Sequence, residues 1–110
     1  MKVHLIRKES IEMYCLHNVQ SRKAFEIWLS LIKFADWGIP SDIMSTFPTT
    51  DFLGNGTNRI VFDIGGNKYR VIIKYVFGIK QIHLFICWIG THAAYDKICK
   101  FNAQYTINAF

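Results

Sequence analysis

The chain has 110 residues, 51% hydrophobic and 15% aromatic, enough for one well-filled core and too little for two independent ones. Thirteen Lys and Arg against eight Asp and Glu give a formal net charge of +5, and so rich an apolar content excludes a disordered chain. The three cysteines, Cys15, Cys87 and Cys99, are odd in number, share no C-x-x-C spacing and have no histidine cluster beside them, which argues against a disulfide framework or a zinc site.

In the opening MKVHLIRKES, charges flank a very short apolar run, which is not the pattern of a signal peptide. The longest apolar run, residues 84–89, is far too short to span a bilayer. The expectation is one cytoplasmic domain covering residues 1–110, with no membrane association. Its positive balance suits a polyanionic partner, although many small domains are basic without binding nucleic acid.

Val3 and Leu5 mark a short opening strand. From Lys8, the residues Ile11, Tyr14 and Cys15 fall at i, i+3 and i+4, one face of a helix that breaks at His17 and Asn18. Ser21 is the candidate N-cap of a second helix, in which Phe25, Trp28, Leu29 and Ile32 repeat at helical spacing through Phe34. Gly38 and Pro40 end it, and the two helices are expected to form a hairpin laid across a sheet. Residues 39–58 read as mostly irregular, with a short turn over 42–45 and loop signals at Pro48, Gly54, Asn55 and Gly56.

At Arg59 the period changes to that of strands. Residues 59–64 and 69–77 form two strands around a turn at Gly65, Gly66 and Asn67, where glycine supplies positive φ. A third strand over 81–89 follows Gly78, with Ile82, Leu84, Ile86 and Trp88 on one face. Thr91 can cap a short helix over 92–98. One strand, two helices, three antiparallel strands and a last helix describe an α+β domain.

Alternation along the second of these strands puts Arg70 and Lys74 on one face, with Lys68 at the same parity. That face is either a solvated surface or a cradle for a phosphodiester, to which Arg binds through two donors at once. His92, Tyr95 and Asp96 stand three and four apart, so they share one side of the last helix. A histidine there either lies in solvent or shuttles protons near neutral pH. Successive antiparallel strands are usually neighbours, which brings the two groups onto one small sheet. Cations beside a His/Tyr pair are the parts of a metal-free ribonuclease, whose nucleophile is the ribose 2′-hydroxyl of its own substrate. His4, His17 and His83 are scattered and suggest no metal site, and Gly65-Gly66 is read as a hairpin turn because no helix follows it. Lys97 and Lys100 either touch backbone phosphates or complement a helix C-terminus.

The stretch RIVFDIGGNKYRVIIKYVFGIKQIHLFICWIGTHAAYDKI resembles the signature region of the HigB toxins. The shared elements are Val61-Phe62-Asp63-Ile64-Gly65-Gly66-Asn67, then Tyr69-Arg70, then Thr91-His92 with Tyr95-Asp96. The resemblance implies a RelE-like fold, two N-terminal helices packed on a small, mainly antiparallel sheet. It implies cleavage of messenger RNA, typically on the ribosome, and neutralisation by a HigA-type helix-turn-helix antitoxin; the residue chemistry above adds the expectation that no cofactor is needed. Carried over residue by residue, the resemblance points to Arg70, His92 and Tyr95 as catalytic, supported by Asn67, Lys68 and Asp96; the reading of the residues themselves adds Lys74 and Lys97 as further contacts for RNA. Residues 101–110 carry no charge, unlike the basic ends common among such toxins, so no C-terminal RNA clamp is expected.

Overall fold

A computed structural model describes residues 1–110. Strand β1 (Lys2–Ile6) leads into helix α1 (Lys8–His17) and, after a single 3₁₀ turn over Val19–Ser21, helix α2 (Arg22–Lys33). A short helix α3 (Ser41–Thr46) and a two-residue strand β2 (Asp51–Phe52) precede the long strands β3 (Arg59–Ile64), β4 (Tyr69–Phe77) and β5 (Gln81–Thr91). Helix α4 (His92–Cys99) follows β5 without a loop. The strands form one sheet in the order β1-β5-β4-β3-β2, antiparallel except that β1 runs parallel to β5.

The fold is the expected α+β arrangement, with α1 and α2 packed on one face of the sheet. Ile11 and Cys15 from α1, and Phe25, Trp28 and Ile32 from α2, are buried against Ile60, Phe62, Val71, Ile73, Leu84 and Ile86. Aromatic edges organise this core: Trp28 meets Phe62 at 5.6 Å between ring centroids, and Phe47 meets Phe62 at 4.8 Å, both T-shaped.

Four local expectations change. Ser21 is not an N-cap: its backbone is already helical, and its buried hydroxyl donates 2.6 Å back to the Asn18 carbonyl, tying the 3₁₀ turn instead. Residues 41–46 form a full helix rather than a turn, started by Asp42, whose carboxylate accepts from the Gly38 and Ile39 amides at 2.7 and 3.2 Å. These amide bonds hold the Asp42 carboxyl below its usual pKa. Asp51 and Phe52, expected in a loop, pair with Val61 and Ile60 at the sheet edge. The last strand runs on through Gly90 to Thr91 and carries a bulge: Ile86 pairs with Ile73 and Trp88 with Ile72, leaving Cys87 as the extra residue. The extra residue reverses the alternation, so Trp88 lies on the face opposite Ile82, Leu84 and Ile86.

Two features do match the sequence in detail. Gly65 and Gly66 both take positive φ, 69° and 73°, in the turn between β3 and β4. Thr91 caps α4, its Oγ1 accepting from the Ala94 amide at 3.2 Å.

After α4 the chain turns back across the second face of the sheet. Arg59 Nη1 donates to the carbonyls of Gln104 at 3.2 Å and Ile107 at 2.7 Å, and the Ala109 amide donates to the Cys87 carbonyl at 2.7 Å. Ile107 packs on Val61, Ile72 and Cys87. The uncharged tail is thus a strap bound through its backbone. No helix is long and apolar enough to cross a membrane.

Candidate active site

The sheet face turned away from α1 and α2 is laid out in cross-strand rows. Asp63, Arg70 and Gly90 form the first row, Val61, Ile72 and Trp88 the second, and Arg59, Lys74 and Phe85 the third. Helix α4 and the strap cover the second row with Tyr95, Ile98 and Ile107. The apolar row therefore separates Arg70 from Lys74, which the sequence placed together on parity alone.

The first row holds a compact polar cluster. Arg70 is largely buried, its side chain 11% exposed, and its Nη1 lies 2.7 Å from Asp63 Oδ1, off the N–H direction, so that this contact is an ion pair more than a directed hydrogen bond. Its Nη2 lies 2.7 Å from His92 Nδ1. A guanidinium only donates, so Nδ1 is the accepting nitrogen and the neutral imidazole carries its proton on Nε2. Nε2 in turn faces Asp96 Oδ2 at 3.3 Å, one helical turn along α4. The result is a chain Asp63–Arg70–His92–Asp96 whose outer end, with His92 43% exposed, opens to solvent.

Tyr95 enters the cluster through its ring. The Arg70 guanidinium carbon stands 5.9 Å from the ring centroid, and Trp88 flanks the same ring at 6.1 Å. Burial is the largest cause of a phenol pKa well above that of a free tyrosine; the neighbouring Cys99 thiol and the Asp51 charge push the same way, and Arg70 pulls against them. The phenol stays protonated through neutral pH. Because its folded pKa is raised, any stability it contributes is present below pH 10 and declines as the pH rises from there.

Of the other candidates, Asn67 and Lys68 are exposed in the β3–β4 turn. The Lys68 carbonyl accepts from the His92 amide at 2.9 Å, which fixes this turn against the start of α4. Lys97 is exposed on α4, and Lys74 lies in the third row beyond the strap. Sequence reasoning missed Asp63 and Trp88. Asp63 was within reach, since the four-residue turn sets a register that pairs it with Arg70. Trp88 was hidden by the bulge.

Gly90 explains why the indole fits. A Cβ at this position would lie 2.5 Å from Trp88 Cζ2 and closer still to Cη2, so the ring lies directly over the glycine. Gly90→Ala is expected to push Trp88 off Tyr95 and to destabilise the fold by about 1–3 kcal/mol, as overpacking does. Chemical denaturation and near-ultraviolet circular dichroism check this; an unchanged Trp88 signal with unchanged stability would contradict it.

A helical hairpin backing a five-stranded mixed sheet, with a polar cluster around Arg70 on the opposite face, places the molecule among the small RelE-like toxins. The profile of the HigB toxin family, described as the RelE-like toxic component of a toxin-antitoxin system, matches residues 21–98. The chain is also 29% identical over 102 residues, 93% of its length and 97% of the relative's, to the mRNA interferase HigB of Escherichia coli O6:H1. It belongs to the HigB toxin family. Asp63, Arg70, His92, Tyr95 and Asp96 all lie within the matched segment.

Proposed function

We propose that the protein is an mRNA-cleaving endoribonuclease, carried by one cytoplasmic domain over residues 1–110, that acts on the ribosome and is neutralised by a HigA-type helix-turn-helix antitoxin. The observation that carries the catalytic part is the 2.7 Å contact between Arg70 and His92 Nδ1. A phosphate-binding cation and a proton acceptor are held within one hydrogen bond of each other at a half-open rim.

That contact also defines a resting state. While Arg70 donates to Nδ1, the imidazole lone pair is occupied and His92 is no base. A phosphodiester entering the rim competes for the guanidinium, which donates better to an anionic oxygen than to a neutral ring. Arg70 then turns its Nη2 edge to the phosphate while Asp63 retains Nη1, and Nδ1 is freed beside the ribose. His92 takes the 2′-hydroxyl proton, and O2′ attacks the adjacent phosphorus. The bond to the 5′-oxygen breaks, leaving a 2′,3′-cyclic phosphate and, once that oxygen takes a proton from solvent, a 5′-hydroxyl. Arg70 stabilises the pentacoordinate dianion, and Asp96 stabilises the imidazolium through Nε2–H. Tyr95 serves as a ring against which Arg70 turns. Its high pKa makes it a poor proton donor.

In this scheme Asn67, Lys68 and Lys97 surround the rim as contacts to neighbouring phosphates, and no metal or cofactor takes part. Purified protein is expected to cut RNA in excess EDTA and to leave 2′,3′-cyclic phosphate and 5′-hydroxyl ends. Ends bearing a 5′-phosphate, or activity abolished by EDTA and restored by a divalent cation, would rule the mechanism out.

A further inference from the structure

Beyond the strap, the third row opens into a cleft of about 470 Å³. Its walls include Arg7, Arg59 and Lys74, the aromatic rings of Phe85 and Phe110, and Asn108, with no acidic side chain among them. We infer that this cleft is a second RNA subsite, which holds a nucleotide of the single strand flanking the cleavage point, its phosphate on Arg7 and Lys74 and its base on Phe85. The inference rests on the ribonuclease reading and extends it.

Three observations carry it. The first is the charge: Arg59 is engaged by the carbonyls of Gln104 and Ile107, but Arg7 and Lys74 are in no ion pair, so two unneutralised cations face one concavity. Such a site attracts a polyanion through counterion release. The second is the interleaved aromatics. Phe85 is 38% exposed although it lies on a central strand, and His83 stands 6.4 Å from it, with His4 5.7 Å further on. Exposed rings beside cations form the stacking platform that single-stranded RNA uses, irrespective of sequence.

The third is the backbone at Arg7, which has φ 67° and ψ 44° in the hinge between β1 and α1. Glycine adopts this left-handed conformation without penalty, whereas a long side chain is strained there. A cation kept at a position that favours glycine, with its side chain in a cationic cleft, indicates that the side chain has work to do. Arg70 and Lys74 are four residues apart on β4, about 13 Å at strand rise, so a strand leaving the rim reaches the cleft within a few nucleotides. Arg7, Asn108 and Phe110 lie outside residues 21–98, the segment that the family profile matches.

The test measures binding of uncleavable 2′-O-methyl single-stranded RNA by fluorescence anisotropy. One oligomer is short enough to fill only the Arg70–His92 rim, and the other is long enough to cross the strap. Arg7→Gly, Lys74→Ala and Phe85→Ala are each expected to weaken the long oligomer about tenfold and to reduce or erase its advantage over the short one. Arg7→Gly and Lys74→Ala should also each flatten the salt dependence by about one phosphate contact. Arg7→Gly separates binding from folding, because its melting temperature should hold or rise. Wild-type preference for the long oligomer that survives all three substitutions would overturn the subsite and leave the ribonuclease reading intact. Wild-type protein that binds neither oligomer would overturn both. Variants that lose a protein partner while keeping RNA affinity would assign the cleft to that partner instead.

Discussion

Arg70→Ala is expected to lower the rate of RNA cleavage by about 10²–10³-fold, the usual cost of removing one preorganised donor to a developing oxyanion, and to abolish growth arrest on expression. The substitution also leaves Asp63 without its counter-ion. Its side chain is only 23% exposed, so the fold should lose up to about 3 kcal/mol, discounted from the penalty for a fully buried pair broken on one side. The two effects are separable. Pairing Arg70→Ala with Asp63→Asn should return much of the stability measured by urea denaturation and none of the activity. Arg70→Lys should stay well below wild type, because an ammonium cannot hold Asp63 and a phosphate through two edges of one planar group. Recovery of cleavage by the double variant would show that Arg70 acts only through stability.

The second large effect is expected at His92. His92→Ala removes the base and should slow cleavage by about 10²–10⁴-fold, with little change in RNA affinity and little loss of stability, since the ring is 43% exposed and belongs to no core. His92→Asn is the sharper variant, because it keeps a polar group near Arg70 without a basic nitrogen. Single-turnover kinetics at saturating RNA distinguish the outcomes. A fall confined to KM would make His92 a binding residue and move the base elsewhere.

Much of this arrangement was legible in the residues before any coordinates. Ile11 and Cys15, or Phe25, Trp28 and Ile32, are buried because a 3.6-residue period leaves them no other face. The Gly65-Gly66 turn and the Thr91 cap are local chemistry, and both appear where their residue types demand. The rest depended on partners that sequence does not name. The bulge at Cys87 adds one residue within the run 84–89, which is apolar on both faces, so a strict period of two assigns Trp88 to the wrong side of the sheet. Ser21 resembles a cap, but the 3₁₀ turn before it supplies an acceptor closer than any amide ahead. The strap is held through main-chain carbonyls, which every residue possesses, so nothing in residues 101–110 advertises Arg59 as its anchor. Within the site, the residue types pointed to Arg70 and His92. Which nitrogen each presents to the other is a matter of geometry alone.

The parallel pairing of β1 with β5 has a consequence for how the protein is made. Residues 2–6 are synthesised well before their partners, residues 81–85. Through most of translation the first strand has no neighbour, and such distant pairing forms slowly. The cluster of Asp63, Arg70, His92 and Asp96 cannot assemble until α4 has emerged, and the strap closes over the sheet later still. A chain still being made therefore holds the parts of the cluster without their arrangement.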